Sequence, residues 1–341
     1  FPMPIKDQFL KEGFLKLFVD NKGLELTGTG KVCDNPIELK WIEDFTAHKK
    51  NKIQSKYDIS INFDAQKTNM LLPGINDYVT GHFITRGVIE RKVSGEVNGK
   101  FNVDMTPSET HLYPISVEKV ENIPLIGQID FDNKDNKTNL HFNFYGYVDV
   151  KSLNPIQLAG SITFDQLTEI KLEKIIAPKT DLQGTIKFKE DFLNLDLMGS
   201  SWNAKGIYDM PKEENPSPLI VPSNITANLK LDRLILAEEE SISDFLLKGE
   251  KKSNVWKSLS LNAMAGAPFN LSYSPKKNTL SVTSTDFGEF LKRSGISNKI
   301  VGGNFLLKAV QGDKGGFNGN IRVKKFALKE LKSPSIIVDT T

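Results

Sequence analysis

Apolar and polar residues alternate one for one along most of this chain. Between residues 58 and 63, Ile or Phe at odd positions alternates with Asp, Ser or Asn at even positions. The same alternation recurs over 140–148, 193–197, 259–263, 269–273 and 320–324. Successive side chains of a strand point to opposite faces, so this pattern predicts strands with one apolar face and one polar, solvent-exposed face. Such strands are typical of antiparallel sheets, since parallel strands are buried on both faces.

Turn-forming residues separate these runs. The segments 20–23, 130–137, 274–278 and 311–316 are rich in Asp, Asn, Gly or Pro, which favour turns for backbone reasons. Strands that recur about every 8–12 residues indicate an all-β protein. The sequence therefore predicts an all-β, mostly antiparallel chain.

Three short helices are predicted, over 65–72, 286–294 and 239–248. The first two lie in a repeated motif, at 64–83 and 286–305. Each copy runs from an acidic residue through a helical turn and Gly-Ile to Val-x-Gly-x-Phe, which opens a new strand. Internal repetition predicts a stacked, quasi-one-dimensional architecture.

The 341 residues suffice for one large β domain or two ordinary ones. Four prolines lie in 210–222, which is typical of a loop or linker. Because the strand pattern is the same on both sides, we expect one continuous repetitive segment over 1–341. The alternative is a subdivision into 1–210 and 223–341.

The charge balance and the few potential ligands exclude several functions. Lys and Arg total 44 against 42 Asp and Glu, so no basic field exists to bind nucleic acid. Cys33 is alone, which excludes an internal disulfide and a cysteine zinc cluster. His48, His82, His111 and His141 do not stand at metal-ligand spacing, and no nucleotide or hydrolase motif occurs. We expect no enzymatic activity, no metal and no cofactor.

The long apolar face must be covered by something. It can pack on a second sheet, close on itself, or line an open groove where lipid tails replace the second layer. Alternation alone does not distinguish these three. The candidate lining residues are the apolar alternates Ile59, Ile61, Phe63, Leu140, Phe142, Phe144, Leu193, Leu195, Leu197, Leu259, Leu261, Phe269, Leu271, Ile321 and Val323.

Several motifs follow one another in order over 225–331. They are Ile225-Thr-Ala-Asn-Leu-Lys-Leu-Asp-Arg-Leu-Ile-Leu236, Val255-Trp256-Lys-Ser-Leu, Asp286-Phe-Gly-Glu-Phe-Leu-Lys-Arg-Ser-Gly-Ile296, Val301-Gly-Gly303 and Gly319-Asn-Ile-Arg-Val-Lys-Lys-Phe-Ala-Leu328. Taken in this order, they resemble the AsmA-like periplasmic proteins, especially their YhdP-type region, which is related to TamB. The likeness is strongest over 225–331 and continues upstream at 35–41 and 104–112.

This resemblance implies an elongated, curved sheet that forms an open hydrophobic groove. It implies a lipid conduit in the periplasm that moves phospholipids between the inner and outer bacterial membranes. The expected partners are phospholipid acyl chains and the inner membrane, reached through an anchor helix outside these 341 residues. The family brings no catalytic residues.

Two other functions stay open. The first is a periplasmic scaffold that meets outer-membrane assembly proteins through its sheet edges, because unpaired edges invite strand pairing. The second is a carbohydrate binder, which would need exposed aromatic platforms. Trp41, Trp202 and Trp256 are the tryptophan candidates for that role.

Overall fold

The computed structural model describes residues 10–68, 74–135, 137–149, 154–210, 222–237, 240–312 and 316–329. These residues form 21 strands, two α-helices and three 3-10 helices. All strand pairings described are antiparallel except one. The predicted fold class, an open, mostly antiparallel all-β sheet with few helices, is confirmed.

The chain divides into two compact units. Unit 1 comprises Phe1–Gln183 and Gly206–Glu213, and unit 2 comprises Gly184–Lys205 and Glu214–Thr341. The division falls within β13 (Thr180–Lys189). Residues 211–221 of the proline-rich stretch lie outside the described residues, so the subdivision at 210–222 stays a prediction.

Unit 1 is built on a ladder of neighbouring antiparallel strands. Its strands are β1 (Lys11–Val19), β2 (Gly23–Val32), β3 (Asn35–Asp44), β4 (Ile53–Asp64), β5 (Val79–Lys92), β6 (Val97–Asp104), β7 (Ser108–Leu112), β8 (Val117–Lys119), β9 (Leu125–Lys134), β10 (Lys137–Tyr147), β11 (Pro155–Phe164) and β12 (Thr168–Ala177). The main ladder runs in the order β1-β2-β3-β4-β5-β6-β9-β10-β11-β12. Short 3-10 helices lie at Ile75–Asp77, Tyr113–Ile115 and Lys205–Asp209.

A second, smaller ladder in unit 1 joins the first residues of β5 to β7 and β8. Lys119 at the end of β8 is almost fully buried. Its Nζ donates to the backbone oxygens of Ser108 at 2.5 Å, Val120 at 3.1 Å and Thr106 at 3.3 Å. Burial lowers the pKa of Lys119, and nearby acidic residues partly oppose that shift. The ammonium group therefore ties together the chain on both sides of β7.

Unit 2 has one parallel pair and then a run of antiparallel pairs. Its strands are β14 (Phe192–Asn203), β15 (Asn224–Ile235), β16 (Ile242–Lys252), β17 (Val255–Ala265), β18 (Ala267–Ser274), β19 (Thr279–Ser284), β20 (Ile300–Gln311) and β21 (Phe317–Leu328). β14 and β15 are parallel, and each strand from β15 to β21 pairs antiparallel with the next. A parallel pair needs a crossover connection, whereas hairpins suffice for the others.

Two of the three predicted helices exist. α1 (Ala65–Thr68) begins the first predicted helix, whose residues 69–72 lie outside the described part of the chain. α2 (Phe287–Arg293) matches the second. The side chain of Asp286 caps α2 by accepting from the backbone N–H of Glu289 at 3.0 Å, as an N-cap residue does.

The helix predicted over 239–248 is wrong, because β16 occupies this segment from Ile242. β16 pairs with β15 on one side and β17 on the other, and this pairing outweighs local helix propensity. A bulge interrupts its alternation: the register to β17 shifts between Ser243 and Leu246, and Asp244 has a φ of 50°. In sequence, Phe245, Leu246 and Leu247 follow one another without a polar residue between them, so this segment does not show the period-two pattern of a strand.

The turn predicted at 130–137 is also mostly strand, since β9 extends to Lys134. Its polar residues pair with polar residues of β10: the Asn139 side chain donates to Asp132 at 3.0 Å. The turns at 20–23 and 274–278 are confirmed. The turn at 311–316 connects β20 to β21, and residues 313–315 are not described.

The repeated motif is confirmed in local structure. In each copy a helix follows a strand, and a glycine with positive φ precedes the isoleucine, at Gly74 (φ 80°) and Gly295 (φ 73°). A second positive-φ glycine follows in the next strand, at Gly81 (φ 82°) and Gly303 (φ 109°). Glycine adopts this backbone conformation without the strain that other residues meet.

We predict that Lys119→Met destabilises the protein by about 2–4 kcal/mol. Each buried oxygen left without its donor costs about 1–3 kcal/mol. Urea unfolding followed by circular dichroism measures this change. The control is Lys100→Met, whose side chain is exposed and whose ion pair with Asp130 spans 3.7 Å, so we expect a change within about 0.5 kcal/mol. Equal stabilities of the two variants would contradict the conclusion that the hydrogen bonds of Lys119 stabilise the chain around β7.

Candidate apolar ligand site

The strand register of unit 1 collects apolar residues on one face. Directly paired residues in neighbouring strands project to the same side, so each row of partners crosses the ladder. One row from β4 to β11 contains Ile59, Gly87, Phe101, Ile129, Phe142 and Gly160. The next row contains Ile61, Thr85, Val103, Gly127, Phe144 and Leu158. We call this surface the unit 1 apolar face.

A cavity of about 310 Å³ lies on this face. Its lining consists of Ile59, Ile61, Phe63, Ile75, Phe83, Thr85, Ile89, Phe101, Val103, Met105, Ile129 and Phe144. Eleven of these twelve side chains are apolar, and the exception is a threonine. We call this space the apolar cavity. Apolar spaces inside proteins can accept apolar ligands.

The opposite face of the same strands is polar. A wider depression of about 690 Å³ there includes Lys16, Lys40, Asp58 and Arg86 among its lining residues. The two faces therefore differ sharply in chemistry, although the same strands form both. Among the described residues, no titratable side chain lines the apolar cavity.

Four glycines of the unit 1 apolar face each sit directly opposite a phenylalanine in the adjacent strand. The pairs are Gly87 with Phe101, Gly99 with Phe131, Gly127 with Phe144, and Gly160 with Phe142. A Cβ at any of these glycines would overlap the partner's ring. The rings thus lie across the backbone of the facing glycine, as aromatic residues do when they cover strand glycines.

Unit 2 also gathers its apolar residues on one face, which we call the unit 2 apolar face. Leu259 pairs with Tyr273, Leu261 with Leu271, and Ala263 with Phe269. The rows continue through β19 and β20 to β21, where Phe305 pairs with Val323 and Leu307 with Ile321.

α2 covers part of the unit 2 apolar face with two aromatic rings. Phe290 stacks on Phe269 with ring centroids 3.7 Å apart, and Phe287 stacks on Phe305 at 4.0 Å. Stacked and buried aromatic pairs add stability beyond that of the buried area. The helix therefore supplies the cover that this region of the sheet requires.

Charged groups tie α2 to the start of β16. Glu240 accepts from Lys292 at 2.5 Å, and Arg293 pairs with Glu289 at 2.8 Å. Arg293 also donates to the backbone oxygen of Ser241 at 2.8 Å. The hydrogen bond from Lys292 lowers the pKa of Glu240, and the same bond raises the pKa of Lys292.

The predicted lining residues are placed as follows. In unit 1, Ile59, Ile61, Phe63 and Phe144 line the apolar cavity. Leu140 and Phe142 share its face but do not line it. In unit 2, Leu197 and Phe269 are buried, and Leu193, Leu195, Leu259, Leu261, Leu271 and Val323 are half-buried. Ile321 is 65% exposed, because β21 has only one neighbouring strand among the described residues.

Eight lining residues of the apolar cavity were missed. Most of them also alternate in sequence, as Phe83, Thr85 and Ile89 do in β5, so the same period-two pattern contains the signal. Ile75 is different, because it comes from a 3-10 helix. Its signal is the Gly-Ile step of the repeated motif.

The three tryptophans are half-buried and do not form exposed platforms. Trp41 stacks on Tyr57 with centroids 5.7 Å apart, and it packs against the core of unit 1. Trp256 packs against the core of unit 2. These positions offer no support for carbohydrate stacking.

Within the described ranges, no helix has both the length and the apolarity needed to cross a bilayer. Those ranges also contain no group of three or more His, Cys, Asp or Glu placed to hold a metal. Comparisons with protein-family models, with curated proteins and with solved structures found no match to this chain.

We predict that the ion pair between Glu240 and Lys292 of α2 no longer stabilises the protein at acidic pH. A carboxyl whose pKa is lowered by folding stabilises the fold above its ordinary pKa, and this contribution disappears as the pH falls through the lowered value. Wild type should therefore melt at a higher temperature than Glu240→Gln at neutral pH. The two melting temperatures should converge below the lowered pKa. A difference that persists in strong acid would contradict the assignment.

Proposed function

We propose that this chain is a non-enzymatic lipid-binding conduit that holds acyl chains on its apolar face. The observation that supports this proposal is the apolar cavity of about 310 Å³, whose lining contains no charged group. Ligand pockets generally span about 300–1,000 Å³ and are mostly apolar. Specific small polar ligands need convergent polar groups, and this lining offers one threonine hydroxyl.

Acyl chains suit such a site energetically. Each methylene moved out of water contributes about 0.8 kcal/mol, without any directional contact. Several such groups give useful affinity while leaving the chain free to slide. The lipid head group would remain outside the apolar cavity, in water. No energy source for directed movement follows from these contacts, so direction would come from a partner.

The cellular setting of this proposal comes from the resemblance of 225–331 to AsmA-like proteins. In this setting the chain is a segment of an envelope protein in the bacterial periplasm. It moves phospholipids between the inner and outer membranes, and an inner-membrane anchor lies outside these 341 residues.

A second candidate function is a periplasmic scaffold that assists outer-membrane assembly without carrying lipid. One observation favours it. β1 pairs with β2 alone among the described strands, and Phe14, Leu17 and Phe18 on it are at least 60% exposed. An edge strand with exposed apolar residues is a template for pairing with another chain.

We predict that phospholipid co-purifies with the folded protein and is lost when a charge enters the apolar cavity. Phe101→Asp places a carboxylate in the lining, where burying an unpaired charge is unfavourable. The control is Asn102→Asp, because Asn102 is exposed and points to the opposite face. Extraction followed by mass spectrometry should find lipid in wild type and in Asn102→Asp, but not in Phe101→Asp.

The same variants separate the two functions. Circular dichroism first establishes that each variant is folded. A folded wild type without bound lipid, which also fails to take up phospholipid from vesicles, would refute the conduit. Retained capture of outer-membrane assembly proteins by such a sample would favour the scaffold.

A further inference from the structure

The shape of the apolar cavity depends on glycines, which have no side chain, in the strands that form its walls. Phe144 lines the apolar cavity and lies across Gly127, its direct partner in β9. A Cβ added to Gly127 would find three atoms of the Phe144 ring within 2.6 Å, and nothing else is closer. Real Cβ atoms do not approach other atoms so closely, so the ring would have to move. The ring therefore contacts the sheet at Gly127 and also lines the apolar cavity.

The neighbouring pair, Gly99 and Phe131, has the same geometry in a different place. A Cβ at Gly99 would find three atoms of the Phe131 ring within 2.7 Å. Phe131, however, does not itself line the apolar cavity, and it stacks on the lining residue Phe101 with ring centroids 6.2 Å apart. Neither Gly99 nor Gly127 has a positive φ, so the backbone accepts alanine at both positions. At Gly87 and Gly160, in contrast, the added Cβ would also overlap a backbone oxygen.

We propose that the pair Gly127–Phe144 sets the bore of the apolar cavity and thereby selects a single acyl chain as its occupant. This inference rests on the proposed lipid-binding function. Because Gly127 has no side chain, the Phe144 ring lies flat against the sheet. The ligand occupies the space on the other side of that ring. Gly127 acts through Phe144, so it is a positioning residue, and Phe144 determines the size of ligand that fits.

The size of the apolar cavity indicates how much of a lipid enters. At about 30 Å³ for a water-sized group, a cavity of about 310 Å³ holds about ten such groups. That is a stretch of one acyl chain.

The experiment uses the whole chain and two probes, a fluorescent straight-chain fatty acid and a fatty acid with a bulky branch. Gly127→Ala should weaken binding of the straight-chain probe at least tenfold, or about 1.4 kcal/mol. Gly99→Ala should weaken binding less than Gly127→Ala, because the ring that it displaces reaches the apolar cavity only through Phe101. The double variant Gly127→Ala/Phe144→Leu should recover binding, since no ring remains to be pushed into the apolar cavity.

A second measurement covers the outcome in which Gly127→Ala does not fold. Phe144→Leu alone should improve binding of the branched probe relative to the straight one by about tenfold. A merely structural role for Phe144 would weaken both probes equally, and that result would overturn the inference. Binding by wild type together with unchanged binding by Gly127→Ala would overturn it too, while leaving the lipid-binding proposal intact. Failure of wild type to bind either probe would refute both proposals.

Discussion

The hydrogen-bonded register between neighbouring strands decides which side chains in this protein share a surface. A strand alternates its side chains between two faces, so a shift of one residue in any ladder would exchange the apolar and polar sets of that strand. In unit 1 the register keeps Ile59 level with Gly87 and then with Phe101, strand after strand. The apolar cavity, the polar depression on the other face and the glycine–phenylalanine pairs all depend on this alignment.

The two units cover their apolar faces in different ways. In unit 2, Phe287 and Phe290 of α2 stack on rings of the sheet, and a capped helix with ionic ties holds them there. In unit 1, the corresponding segment begins with the four-residue α1, and Ile75 from the following 3-10 helix reaches the lining. Both copies of the repeated motif thus deliver apolar side chains to a sheet face. In the first copy Phe83 stacks on Phe63 within the sheet, and in the second copy two rings of the helix itself stack on the sheet.

The alternation at Ile59, Ile61 and Phe63 was enough to predict strand β4 and the face that these residues share, because the period of a strand is a local property. The failure at 239–248 is equally physical, since the bulge at Asp244 breaks the period and only pairing with β15 and β17 reveals the strand. The apolar cavity lay beyond sequence reasoning for another reason. It arises where Gly127 meets Phe144 and where Ile61, Val103 and Met105 converge, and these meetings are set by long-range register.

Glycine within a strand is usually unfavourable, because it adds chain entropy to the unfolded state and packs nothing itself. Four such glycines on one face, each under a phenyl ring, therefore need a compensating gain. A phenyl ring packed over the glycine backbone restores part of the buried apolar area. A larger residue paired with a smaller side chain would bury a similar area. Two of the four rings, Phe101 and Phe144, also line the apolar cavity, so the flat packing of these two leaves free volume above the sheet. Under the proposed lipid-binding function, that volume is the space that an acyl chain would occupy.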